Sequence, residues 1–143
     1  MTRIDFYILQ GQDAVIRPLF ACRLAEKAYR QGHAVYINTG SSAQSSYMDQ
    51  LLWTFSPDSF VPHSVYMPDQ DAKPPVLIGH SEDPDTKCDV LLNLDNEIPG
   101  FFGQFSRLTE IVDQQSERKQ AARKRYKYYM EQGYQINSHE ING

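Results

Sequence analysis

Ten residues, Arg118 to Lys127, hold six of the chain's 14 lysines and arginines and no acid. The whole chain carries −4 and this stretch +6, so the remainder carries −10 and the charge is sharply segregated. On a helix, Lys119, Arg123 and Lys127 fall at i, i+4 and i+8, one continuous stripe. Ala122, Tyr126, Tyr129 and Met130 fall on the adjacent face, which the spacing predicts to pack on the rest of the fold, with Tyr126 at the border. Like charges at this spacing repel one another. Converging cations beside an aromatic suit an acidic peptide with an apolar end, or a nucleic-acid strand. The plainer alternative is a solvated basic face whose cations favour the C-terminal half of the helix.

Other chemistry finds less support. There is no Gly-x-x-x-x-Gly-Lys-Ser/Thr, and Gln10-Gly11-Gln12-Asp13 lacks the glycine spacing of a dinucleotide site, so no phosphate-binding cofactor is expected. His33, His63, His80 and His139 have no metal-ligand spacing and no motif pairing them with Ser, Cys or carboxylate, so neither a metal nor a catalytic residue is expected. Asp95 and Glu97, after an apolar strand, have the type to help bind magnesium, but solvated surface acids are the expectation. Cys22 and Cys88 lie far apart without a Cys-x-x-Cys partner, which reads as two reduced thiols in a cytoplasmic protein. No apolar run reaches the ~18 residues of a membrane span, and Met1-Thr2-Arg3 leads into a charged, alternating segment with no signal-peptide pattern.

The elements that must position these residues follow from periodicity. With 143 residues and 41% apolar content, the chain matches one packed domain spanning 1–143. Phe6 to Leu9 reads as a buried strand ended by Gly11. Pro18 fits the first position of a helix running from Leu19 to Gln31, with Phe20, Leu24 and Ala28 on its apolar face and Gly32 as its cap. Ala34 to Ile37 is the next strand, completing the length of a right-handed parallel crossover. Ser41 and Ser42 offer N-caps for a helix with Tyr47, Met48, Leu51 and Leu52 as its apolar stripe, ending near Trp53. Four prolines between 54 and 74 predict loop, with one short edge strand near Ser64 to Tyr66. Pro75 to Gly79 and Asp89 to Leu94 are apolar strands flanking a polar loop, Ser81 to Lys87. Pro99-Gly100 turns the chain into a short amphipathic piece at Phe101 to Phe105. Leu108 to Val112 reads as a last strand, with helix as the alternative. Ser116 caps a final helix to about Gln132, ended by Gly133. Such alternation predicts an α/β protein: a three-layer, Rossmann-like sandwich around a mostly parallel sheet, with helices on both faces.

Three stretches together resemble a known family: Phe6-Tyr7-Ile8-Leu9; Leu51-Leu52-Trp53-Thr54-Phe55 followed by Ser59-Phe60-Val61-Pro62-His63; and Ala122-Arg123-Lys124-Arg125-Tyr126-Lys127 closing with Gly133-Tyr134. In this order and spacing the chain resembles the chi subunit of bacterial DNA polymerase III over essentially its whole length. The Trp-x-x-x-x-x-Ser-Phe-x-Pro-His pattern is the distinctive part. The resemblance implies a non-catalytic replication subunit of the clamp-loader assembly. It implies pairing with the psi subunit through Trp53 and Phe60, a surface for which a helicase is a further candidate. It also implies a separate basic pocket for the acidic, apolar-ended C-terminal tail of single-stranded-DNA-binding protein, carried by Lys119, Arg123, Tyr126 and Lys127. Any link to nucleic acid is then mostly indirect. The segment Asp113 to Glu117 is shorter than in the family, so the family's apolar wall does not carry over and Val112 is only a candidate for it, and the tail after Asn137 diverges. The rival functions are direct binding of single-stranded nucleic acid by the same helix, and a small α/β enzyme with a cleft at its strand ends.

Overall fold

A computed structural model describes residues 2–70, 73–80, 83–84 and 89–141. Their strands and helices alternate: β1 (Arg3–Leu9), α1 (Ile16–Arg30), β2 (Val35–Thr39), α2 (Ser42–Thr54), β3 (His63–Val65), β4 (Val76–His80), β5 (Val90–Asn93), a 3-10 turn (Phe102–Gln104), β6 (Arg107–Val112), α3 (Ser116–Glu131) and β7 (Ile136–Ile141). The seven strands form one sheet in the order β3-β4-β2-β5-β6-β1-β7, and every pairing is parallel. The expected α/β sandwich is therefore present, with a sheet that is parallel throughout.

Both sheet faces are covered, which is why the central strands are apolar on both sides. On one face Leu9, Val35, Ile37, Ile78 and Leu92 pack against Ala21, Cys22 and Ala25 of α1 and Met48 and Leu52 of α2. On the other, Phe6, Tyr36, Leu77, Leu91 and Leu108 pack against Ala122 and Tyr129 of α3 and against Phe102 and Phe105 of the 3-10 turn. Gly79 is required by close approach, because a Cβ there would overlap the Tyr36 hydroxyl.

Helix ends follow local chemistry. Ser41 caps α2 by accepting from the Gln44 amide at 3.2 Å. Gly32 and Gly133 both take positive φ, +88° and +86°, and close α1 and α3. α1 begins two residues earlier than expected, so Pro18 is its third residue, still in the first turn where no N–H is needed. The cap of α3 is Gln115, whose side chain accepts from the Arg118 amide at 2.8 Å, so Ser116 is the first helical residue. Residues 107–112 are strand, held in register by β1 on one side and β5 on the other.

Three expectations need correction. β7 had no counterpart in the sequence reading, yet it pairs with β1 over six residues. Met130 is 58% exposed instead of packed, and its place on the buried face is taken by Arg125. Tyr47 is likewise exposed, outside the stripe that α2 buries. Most of the Ser81 to Lys87 loop, and Cys88, lie outside the described residues. Cys22 is a buried free thiol, and burial pushes it up to about 12.

Candidate functional site

The rotation of α3 is set by a buried polar knot. Glu110 on β6 is fully buried. Its Oε1 accepts from Arg125 Nε and Nη2, each at 3.1 Å, and its Oε2 from the Tyr129 hydroxyl at 2.7 Å and Asn93 Nδ2 at 3.0 Å. Arg125 Nη1 also donates to the Asn96 carbonyl at 2.9 Å. A buried charge is tolerable only when paired and hydrogen-bonded in this way. Burial, and then the adjacent Glu110 carboxylate, push the Tyr129 phenol up, so it remains a donor. At the start of α3, Arg118 donates to buried Asp113 through Nε at 3.0 Å and Nη2 at 2.6 Å. Two of the six clustered cations are thus neutralised internally, a division that charge counting does not show.

With α3 pinned so, its flank faces β7 across an open recess of about 380 Å3. Phe6, Ile8 and Val112 supply apolar lining from β1 and β6. Lys119, Arg123 and Tyr126 line it from α3, and Glu140 from β7. Tyr126 packs edge-on against Phe6 with centroids 5.2 Å apart. Lys119 Nζ donates to Gln114 Oε1 at 2.9 Å. Arg123 is exposed and forms no ion pair among the described residues. Of the sequence candidates, Lys119, Arg123, Tyr126 and Val112 therefore meet in one cavity. Lys127 does not: it is 79% exposed, 3.9 Å from Glu131 and outside the lining. Residues at i, i+4, i+8 drift by about 40° per step around a helix of 3.6 residues per turn, so two steps carry Lys127 away from the recess.

The second group of candidates lies at the other end of the sheet. Trp53, in the last turn of α2, is 52% exposed, and Phe60, in the loop after it, is 66% exposed. Their ring centroids are 6.0 Å apart. Trp53 also rests 4.6 Å from the ring of buried His63. His63 is held by Asp49 O at 3.0 Å from Nε2 and by Val61 O within hydrogen-bond reach of Nδ1. His63 thus supports an exposed aromatic. Spacing could have suggested it, since the histidine ends the Trp-x-x-x-x-x-Ser-Phe-x-Pro-His pattern.

Elsewhere the polar residues make internal bonds. Arg17 crosses the carboxyl ends of the strands, where ligands of open α/β sheets usually bind. It donates to Ile111 O at 2.8 Å and Leu94 O at 2.9 Å, and burial holds it down to about 10. His80 does meet a serine, Ser45 Oγ at 3.3 Å, although no motif announced it. That serine is buried and also bonded to Thr39 Oγ1 at 2.8 Å. His33 Nδ1 lies 3.2 Å from Asp89 at the end of α1. Asp95 and Glu97 are joined to Asn93 through their backbones. Among the described residues no three His, Cys, Asp or Glu side chains gather as a metal site, and no helix is long and apolar enough to cross a membrane.

A family model described as DNA polymerase III chi subunit, HolC, matches residues 1–137. DNA polymerase III subunit chi of Pseudomonas aeruginosa is 44% identical over 141 residues, covering 99% of this chain and 98% of that protein. The proteins of the same name from Haemophilus influenzae and Escherichia coli are 31% and 28% identical, each over 96% of this chain and 96% and 97% of their own. Among solved structures, T4 UvsW superposes with a TM-score of 0.73 over 99% of this chain and 42% of that one, at 8% identity, a likeness of fold alone.

Proposed function

The chain belongs to the DNA polymerase III chi subunit family, and from that premise we propose that it is a non-catalytic adaptor in the clamp-loader assembly, working in the cytoplasm. It bridges the psi subunit, bound on Trp53 and Phe60, to the acidic C-terminal tail of single-stranded-DNA-binding protein, bound beside α3.

The carrying observation is the composition of the recess. Its apolar lining of Phe6, Ile8 and Val112 lies under a wall with Lys119, Arg123 and Tyr126. An apolar terminal side chain buries on the first group while carboxylates meet the second. Arg123 has the free fork to hold a terminal carboxylate by two parallel hydrogen bonds, a geometry lysine cannot reproduce. The exposed Trp53–Phe60 pair has the aromatic character of an interface anchor.

The test is calorimetric titration of a tail peptide against folded wild type and Arg123→Ala. Loss of the charged hydrogen bond is expected to weaken binding by about 2 kcal/mol, with psi binding unchanged. Equal affinity for both proteins would remove α3 from the site. Titration with single-stranded DNA separates the rival reading, because direct phosphate contacts give a steep dependence on salt.

A further inference from the structure

One acidic side chain lines the basic recess, and tail binding as described assigns it no role. The register pairs Ile8 of β1 with Val112 on one side and Glu140 on the other. Val112, Ile8 and Glu140 therefore form a row across the sheet on the face beneath α3. The row is apolar through two strands and ends in a carboxylate at the open edge. The neighbouring row, Glu110, Phe6 and Ser138, carries its acid at the opposite end, where Arg125, Tyr129 and Asn93 engage it. Glu140 is exposed and makes no ion pair among the described residues, although Lys119 and Arg123 line the same cavity.

We infer that Glu140 is a specificity-determining residue: its carboxylate keeps acidic side chains off the Val112–Ile8 floor and reserves that floor for the apolar end of an acidic peptide. This rests on the tail-binding reading. An acidic peptide on a purely basic surface can slide by a residue at little electrostatic cost, because each register still pairs acids with cations. An acid on the opposite wall makes the registers unequal. Any register that sets an aspartate on the floor brings it beside Glu140, adding like-charge repulsion to the cost of desolvating it. The register that lays an apolar side chain on Ile8 and Val112 escapes both, and an aromatic end gains contact with Phe6 and Tyr126. Selectivity thus comes from an element that disfavours wrong ligands. Because Glu140 is exposed, the effect is moderate and fades as salt rises.

Two peptides sharing one acidic sequence, one ending in Phe and the other in Asp, are titrated calorimetrically against wild type and Glu140→Gln at low and high salt. Wild type is expected to prefer the Phe-ended peptide. Glu140→Gln should shrink that preference by roughly two- to fivefold at low salt, by tightening the Asp-ended peptide while the Phe-ended one changes less than about twofold. An unchanged preference, or equal tightening of both peptides, overturns the inference and leaves tail binding intact. Wild type that binds neither peptide defeats tail binding and this inference together.

Discussion

The recess beside α3 and the aromatic pair after α2 are made in opposite ways. Trp53 and Phe60 are seven positions apart and meet through one helix end and the loop after it. The recess draws on β1, β6, α3 and β7, elements from both ends of the chain. One is an apolar contact, whose strength comes from area and is little affected by salt. The other is electrostatic on one wall, which favours fast, salt-dependent encounter. They also sit apart. α2 packs at the β3 edge and on the face shared with α1, whereas α3 packs on the other face near the β7 edge. With strands about 4.8 Å apart, the edges of a seven-stranded sheet are roughly 29 Å from one another. Two surfaces that share no residue can be engaged together, as the proposed adaptor role requires.

The largest perturbation tests whether the recess depends on the buried knot. Arg125→Ala strands Glu110 as an unpaired buried carboxylate and should cost about 3–5 kcal/mol of stability, read as a lowered urea midpoint. A loss under about 1 kcal/mol would show that the knot does not hold α3. Next comes the aromatic pair. Phe60→Ala is expected to weaken psi binding by about 2 kcal/mol, the scale of an interface anchor, with little salt dependence. Tail-peptide affinity should stay the same, and combining Phe60→Ala with Arg123→Ala should add no loss for either partner beyond about 0.5 kcal/mol. A larger cross-effect would join the two regions into one. Smaller still, Lys119→Ala should reduce peptide affinity by about 1 kcal/mol or less, and less again in high salt. Lys127→Ala should have the least effect of the three cations, because Lys127 stands outside the recess. A Lys127 effect equal to that of Arg123 would mean the peptide follows the whole helical stripe.

The features legible from sequence were those built locally. β1, β2, β4 and β5 were found because strands buried on both faces are nearly continuous in apolar residues. The ends of α1 and α3 were found because Gly32 and Gly133 are obligate left-handed positions. Trp53 and Phe60 were marked because they fall in a short pattern that resembles the family. β7 was missed because Ile136-Asn137-Ser138-His139-Glu140-Ile141 has no apolar face: an edge strand buries too little to need one. A signal did exist. Gly32 precedes β2 by three residues and Gly133 precedes β7 by three, so the helix–glycine–strand unit occurs twice. Arg125 was counted among the clustered cations with no buried role, because nothing in linear order shows that Glu110 lies beneath it. Its burial comes from tertiary pairing, and periodicity alone reports the helix without reporting what the helix meets.

The placement of β1 also governs the order in which the molecule can assemble. Ile4 is bonded between strands containing Leu108 and Ile136, so the first strand has no neighbour until the last ones exist. Both hydrogen-bonding edges of β1 therefore wait on residues from the C-terminal third of the chain. Closing loops of that length is slow, and the search is non-local. An unpaired strand in the interval is a site for capture by another chain. The sheet is continuous only once β6 and β7 flank β1, and the same elements, with α3, line the recess.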